Sequence, residues 1–401
     1  MAFKDYFIKK PQLEPHTLTV ETGVGNTMTD VYSFNLKTDY TKPFQTNYRN
    51  SNGFYFGADN AYPDDLNNLY NSSPLHSRSI QLKKLLTVGE GFDVDGKDKL
   101  DGESKIKLNQ LLNQFENMYD NLAFDYFLHS RVYIQITWNS NNTKIIKLER
   151  IAPEKIRVAE VDNRMQPTSY YYCYDWSQLG RFGKVKIAKF DQQNTKEKVQ
   201  LYVHQVESAG MKTYALPSYV SGLNWVVLDS EMSAYHKSNI TNSLNPSMLI
   251  EFFRSPANDE EKQKTLQSLN DSFAGSRNTG KVMVLFNPSV DSAAKVTQLE
   301  PNKLDKTFMS LTDTIQRQIL YSHSINPILL GLKTAGSLGD SGEVESSYKL
   351  FNKSIIKPAQ KDLERIFNSF ITTNGLYNEL HFKEADIYTI QTQITETNNP
   401  I

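Results

Sequence analysis

Apolar positions along the first part of this chain recur at helical spacing and then give way to β-rich runs. From Pro74 they follow helical spacing, with Leu75, Ile80, Leu82, Leu85 and Leu86 ahead of a stop at Gly89-Glu90-Gly91-Phe92. Ile106, Leu108, Leu111, Leu112 and Phe115 predict a second helix over about 104–115. Met118, Leu122, Tyr126 and Leu128 predict a third, starting near Asn117. Strand character then takes over. Val132 to Trp138, Ile145 to Leu148, Ile156 to Val158, Tyr170 to Trp176, Lys184 to Ala188 and Val199 to His204 all read as strands between Asn/Ser and Pro punctuation. Residues 61–220 therefore form an α+β body, helices first and a meandering sheet after. Residues 1–60 lack sustained periodicity and read as an irregular arm with one or two short strands.

Helical spacing returns at Pro217. Ser221 can cap a helix over 221–242 that carries Trp225, Leu228, Met232, Tyr235 and Asn239 and is about 33 Å long. An α/β insert follows over 244–302. Its strands are Met248 to Phe252, including Ile250 and Phe252, and Val282 to Phe286, including Val284. Between them a capping box at Asn258-x-x-Glu261 opens a helix with Leu266, Leu269 and Phe273. Lys295 to Leu299 reads as a third strand. Leu304, Phe308, Leu311, Ile315 and Ile319 mark a second long helix over 303–325, closed by Asn326-Pro327. A Gly/Ser-rich loop over 332–343 comes next. The last long helix runs to Thr373 with a stripe of Tyr348, Phe351, Ile355, Leu363, Ile366, Phe367 and Phe370. Pro358 inside it removes one hydrogen bond and should bend it.

Composition narrows the function classes. The 401 residues carry 44 Lys+Arg against 45 Asp+Glu, a net charge of −1 that excludes gripping nucleic acid by bulk charge. One cysteine, Cys173, excludes a disulfide framework and a cysteine-rich zinc site, and inside a Tyr-rich strand it reads as core. The N-terminus lacks the apolar stretch of a signal peptide, and no apolar run approaches the ~20 residues that span a bilayer.

Three motifs invite chemistry, and local context rejects each. Gly275-Ser-Arg-Asn-Thr-Gly280-Lys281 has phosphate-loop spacing, but Val282 replaces the hydroxyl residue and a strand, not a helix, follows. Gly339-Asp340-Ser341-Gly342 looks like a serine-protease nucleophile segment, yet Glu343 replaces the next glycine and no histidine has a supporting context. The seven histidines never share a metal-ligand spacing. Tyr62-Pro63-Asp64-Asp65 reads as a helix start. No catalytic constellation, cofactor site or metal site is expected.

The order helix, α/β insert, helix, glycine loop, long helix is the informative feature. With Leu75-His-Ser-Arg-Ser-Ile80, Gly89-Glu-Gly-Phe92, Ser221-Gly-Leu-Asn-Trp225, Asn278-Thr-Gly-Lys-Val-Met-Val-Leu285, Ile325-Asn-Pro-Ile-Leu-Leu-Gly331, Glu345-Ser-Ser-Tyr348 and Ile355-Ile-Lys-Pro358, it resembles the portal proteins of tailed bacteriophages over roughly 62–385. The resemblance implies an arm (1–60), an α+β wing (61–220), stem helices at 221–243 and 303–331, a clip at 244–302, a tunnel loop at 332–343, a long kinked wing helix at 344–374 and a short C-terminal segment at 375–401. It implies a ring of about twelve copies at one capsid vertex that passes double-stranded DNA. The expected partners are the major capsid protein, the terminase large subunit, the head-tail adaptor and a scaffold, with no membrane. The tunnel loop would present Lys333, Thr334, Gly336, Ser337, Gly339, Asp340, Ser341, Gly342 and Glu343 to the channel, with Lys333 the candidate for phosphate contact. With about 26 residues after Gly375, a short segment folded back on the wing is expected instead of a large helical crown. Two rival readings are an adhesin-like virion interaction protein and a nucleotide-binding enzyme using Gly275 to Lys281.

Overall fold

The computed structural model describes residues 16–18, 31–33, 49–50, 52–57, 59–193, 197–211, 213–242, 246–252, 263–264, 281–286, 302–332 and 341–383. The chain divides into two compact units, each discontinuous in sequence. The first is Met1–Asp65, Phe92–Asn224 and Asp362–His381, and the second is Leu66–Gly91, Trp225–Lys361 and Phe382–Ile401. The expected wing boundary at 61–220 therefore differs from the observed division. The segment Leu66–Gly91 belongs with the long helices, and the last long helix contributes to both units.

In chain order the elements begin with short strands β1 (His16–Leu18), β2 (Val31–Ser33), β3 (Arg49–Asn50) and β4 (Gly53–Phe54). Helices α1 (Tyr62–Ser72) and α2 (Pro74–Val88), strand β5 (Phe92–Val94), and helices α3 (Gly102–Glu116) and α4 (Tyr119–His129) come next. Six strands follow: β6 (Arg131–Trp138), β7 (Ile145–Ile151), β8 (Ile156–Val161), β9 (Pro167–Tyr172), β10 (Val185–Lys189) and β11 (Val199–Gln205). The one-turn helix α5 (Leu179–Phe182) lies between β9 and β10.

These six strands form one sheet in the order β7-β6-β11-β10-β9-β8. Only β10 and β11 run parallel; every other neighbouring pair is antiparallel. The sheet is thus not a meander, because the last strand enters its middle, pairing Tyr202 with Ile134 of β6. The strand expected to reach Trp176 ends at Tyr172, where Asp175 caps a 3-10 turn by accepting from the Ser177 amide at 2.9 Å. Cys173 is buried there, its Sγ 3.2 Å from the Asp175 carbonyl.

Helices cover one face of this sheet. Phe115 of α3 stacks on Phe367 with ring centroids 4.2 Å apart, and Phe370 meets Tyr202 of β11 edge-on at 5.1 Å. Asp125 of α4 holds Arg150 of β7 through two contacts of 2.6 Å. Residues at the end of the nominal arm also join the core. Phe54 and Phe56 are buried, and Phe56 stacks on Tyr214 at 4.3 Å. Tyr214 donates to the Phe54 carbonyl at 2.6 Å and accepts from the Val158 amide at 2.9 Å. Gly53 sits at φ 97° with its backbone so close that a Cβ would lie 2.4 Å from the Val158 carbonyl oxygen.

Arg157 locks this layer. Fully buried on β8, it donates to Asn60 Oδ1 (2.8 Å), the Asn60 carbonyl (2.6 Å) and the carbonyls of Glu154 and Ile156 (both 2.9 Å), with Asp64 at 3.6 Å. A buried guanidinium is tolerated only when its donors are met. Arg157→Ala leaves three carbonyls and an amide oxygen short of a donor and opens a cavity. It should cost about 3 kcal/mol or more, read as a lower urea midpoint followed by Trp fluorescence.

Candidate functional site

The elements expected to form the channel are α6 (Leu223–Asn242), β12 (Pro246–Phe252), β13 (Lys281–Phe286), α7 (Asn302–His323) and α8 (Ser341–Phe351), which lie almost wholly in the second unit, and α9 (Lys357–Thr373), which belongs to the first unit from Asp362 on. A 3-10 turn over Val220–Gly222 precedes α6, so the helix begins two residues later than Ser221. On α6, Val226 is buried, whereas Trp225, Leu228 and Met232 are only half-buried. Tyr235 lies on the same helix. On α7, which carries Phe308, Ile315 and Ile319 are buried while Leu311 is half-buried. Tyr321, near the end of α7, is 72% exposed. A single chain thus covers one side of each long helix and leaves apolar surface on the other.

The insert carries two parallel strands. Ile250 registers with Val284, Met248 with Val282 and Phe252 with Phe286. Parallel neighbours need a crossover, in keeping with the helix expected between them, but Leu269 and Phe273 lie outside the described residues, as does the third strand expected at 295–299. Lys281 opens β13 directly, which places a strand where a phosphate loop would need a helix N-terminus.

Buried polar contacts fix both long helices to α2. Ser73, the N-cap of α2, accepts from the His76 amide and donates its hydroxyl to Asp229 Oδ2 of α6 at 2.6 Å. At the other long helix, His323 Nε2 lies 2.9 Å from His76 Nδ1, and Lys83 Nζ lies 3.1 Å from His323 Nδ1. All three side chains are buried. One proton assignment satisfies the row: Lys83 donates to His323 Nδ1, and His323 Nε2–H donates to a neutral His76 Nδ1. Burial, reinforced by the Lys83 charge, depresses both imidazoles, His76 to about 3 and His323 well below its usual value. Burial alone pulls Lys83 down to about 7. Periodicity gave no warning of this cluster, since 247 residues separate the two histidines.

Helix α7 ends in a run of local devices. Ser324 adopts φ 57°, the Ile325 amide returns to the Leu320 carbonyl at 3.0 Å, and Asn326 caps a 3-10 turn over Pro327–Leu330 by accepting from the Ile328 amide. Gly331 closes that turn at φ 74°. The Asn326 amide also donates to Ser347 of α8 at 3.0 Å. The motif Ile325 to Gly331 therefore sets the path of the chain on both sides of the glycine loop. Lys333, Thr334, Gly336, Ser337, Gly339 and Asp340 lie outside the described residues. Ser341, Gly342 and Glu343, assigned above to the loop, are instead the first turn of α8, where Glu343 suits the positive end of the helix dipole.

Pro358 lies in α9, two residues past a π-helical turn over Asn352–Ile356. The Lys357 amide reaches back five residues to the Asn352 carbonyl. The extra residue opens the backbone where the proline ring would meet the Ser354 carbonyl. It also shifts the apolar stripe. Ile356 is buried beside Phe351, and Ile355, placed on that stripe by α-helical spacing, is half-buried. Among the described residues no group of acids, histidines and cysteines is arranged to hold a metal, and no helix is long and apolar enough to cross a membrane.

The histidine–lysine row makes stability depend on pH. With folded values below the unfolded ones, the unfolded chain takes up protons first as pH falls, on Lys83 between about 10.5 and 7 and on His76 between about 6.5 and 3. Both make the fold less stable toward acid. Neutral His76 should cost about 2 kcal/mol between pH 6.5 and 5, and His323 acts in the same direction. His323→Gln preserves an acceptor for Lys83 and a donor for His76, so its thermal midpoint should fall less from pH 7 to 5 than that of the wild type. Equal slopes would contradict the assignment.

Comparison with known proteins follows these elements. The phage portal protein family model matches residues 105–398, nearly three quarters of the chain. No curated protein sequence matches it. Among solved structures, a chain from the neck of an empty GTA particle computed with C6 symmetry aligns with TM-score 0.57 at 13% identity, over 82% of this chain and 86% of that one. A chain from the virion of a native gene transfer agent (GTA) particle aligns with TM-score 0.55 at 14% identity, over 84% and 87%. One from the neck of the native particle computed with C12 symmetry gives 0.53 at 13%, over 84% and 88%. These identities speak to fold alone. The family match spans α3 to the C-terminal segment, including both long helices and the parallel strand pair between them, and the chain belongs to the phage portal protein family.

Proposed function

We propose that about twelve copies of this chain form a ring at one capsid vertex and that double-stranded DNA enters, is held and leaves through its centre. The observation that carries this reading is the pair of long helices, each with one side packed in its own unit and apolar side chains half-exposed on the other. Trp225, Leu228 and Met232 on α6 and Tyr321 on α7 are the residues that a neighbouring copy would cover. Twelve helices of ~10 Å diameter set side by side enclose a circle about 38 Å across their axes, leaving roughly 28 Å clear, enough for a duplex. The C6 and C12 symmetries used for the similar neck structures are compatible with that number.

In this reading α6 and α7 are the stem and the parallel pair β12/β13 belongs to the clip, which docks the terminase large subunit during packaging and the head-tail adaptor afterwards. The first unit is the wing, facing the major capsid protein and scaffold. The glycine loop from Lys333 to Asp340 reaches the channel, with Lys333 touching phosphate transiently. The role is structural, and nothing in it requires a catalytic residue or a cofactor. A net charge of −1 leaves no bulk charge to grip the duplex, so contacts with phosphate in this reading are local.

Deleting 334–340 tests the loop. The cut stops short of Ser341, where α8 begins, and leaves Asn326 and Ser347, which hydrogen-bond to each other, in place. Rings should still assemble, and particles carrying the deletion should retain markedly less DNA than wild type by quantitative PCR of nuclease-resistant genomes. Loss of ring assembly would show that the segment is an assembly element, and full DNA retention would remove the loop from the channel.

A further inference from the structure

Four lysines follow the glycine loop at intervals of four residues: Lys349, Lys353, Lys357 and Lys361. All four are exposed. No Asp or Glu occurs between Glu345 and Asp362, so this stretch is uniformly basic in a chain whose net charge is −1. Like charges four apart on a helix repel, which opposes folding. Glu345 offsets this at Lys349, at 2.5 Å. No ion pair forms at Lys353 or Lys361 among the described residues.

The π-helical turn at Asn352–Ile356 gives the row its geometry. In an uninterrupted α-helix, positions four apart drift about 40° per step, so Lys361 would stand about 120° around the helix from Lys349. One inserted residue takes back about 100°, leaving a drift of only about 20°. The apolar side records the same reset, because Phe351 and Ile356, five residues apart, are both buried, with Ala359 following. The result is a straight line of cations about 17 Å long on the face away from the core.

We infer that this row is a contact surface for the phosphate backbone of duplex DNA. A linear array of flexible ammonium groups, one per turn and backed by apolar packing, complements an extended polyanion far better than a compact anion or a single carboxylate. It recognises charge and spacing, not sequence. The inference rests on the reading of the chain as a DNA conduit, and it adds a site on the helix itself, distinct from the glycine loop and Lys333. It also gives the π turn a role beyond accommodating Pro358, since the turn aligns the charges.

The test uses the full-length chain and a 30-base-pair duplex labelled with fluorescein, with anisotropy titrations at several salt concentrations. Lys353→Gln/Lys361→Gln removes two charges and keeps long, helix-favouring side chains. The slope of log affinity against log salt should become shallower by about 1.8, and binding at low salt should weaken about tenfold or more. Particle mass is measured on the same samples. Unchanged affinity and slope in a variant that still forms rings would overturn the inference and leave the portal reading standing. Unchanged DNA binding with loss of rings would also overturn it, assigning the row to a neighbouring copy. If neither protein forms rings even in preparations made with capsid and scaffold partners, the portal reading fails, and the slope comparison still decides whether the row binds DNA.

Discussion

Both long helices of this portal protein depend on one short helix. Through Ser73 and Asp229, α2 holds the first, and through His76, Lys83 and His323 it holds the end of the second. These contacts are buried and directional, so they fix the helices in a way that apolar packing alone does not. Apolar burial at Ile80, Leu86, Val226, Ile315 and Ile319 supplies the bulk of the driving force there. The polar row adds a single proton arrangement that either histidine would break on ionising.

The same economy appears where the chain turns from α7 into the glycine loop. Ser324, Asn326 and Gly331 each spend their particular backbone preference on one turn, and Asn326 then reaches Ser347. The loop is therefore bracketed by ordered chain on both sides. Beyond it, the π turn absorbs Pro358 and resets the helix face, which joins a backbone irregularity to a charge pattern.

Much of this was legible in the sequence, and the failures have physical causes. Helical spacing located α6, α7 and the last long helix, and β-rich runs between turn residues located all six strands of the main sheet. Strand order was not legible, because nothing local in Val199 to Gln205 says that it pairs with β6 instead of following β10 at an edge. Phe54 and Phe56 looked like arm because two aromatics beside a turn make no period, yet they are core. Ile355 was placed on the buried stripe by α-helical spacing, which one π turn defeats. Ser341 to Glu343 looked like loop because Gly342 is a poor helix former, although it sits in a first turn where little is lost. His76, Lys83, Asp229 and His323 were invisible for a different reason: their meaning lies in contacts across more than a hundred residues.

The central claim is that copies of this chain close into a ring around a channel. Light scattering with negative-stain imaging of purified protein, including preparations made with its capsid and scaffold partners, tests it most directly. The account predicts particles near ~550 kDa, about twelve chains of 45.9 kDa each, with a central hole. Monomers in every preparation, or open filaments without a closed ring, would contradict it.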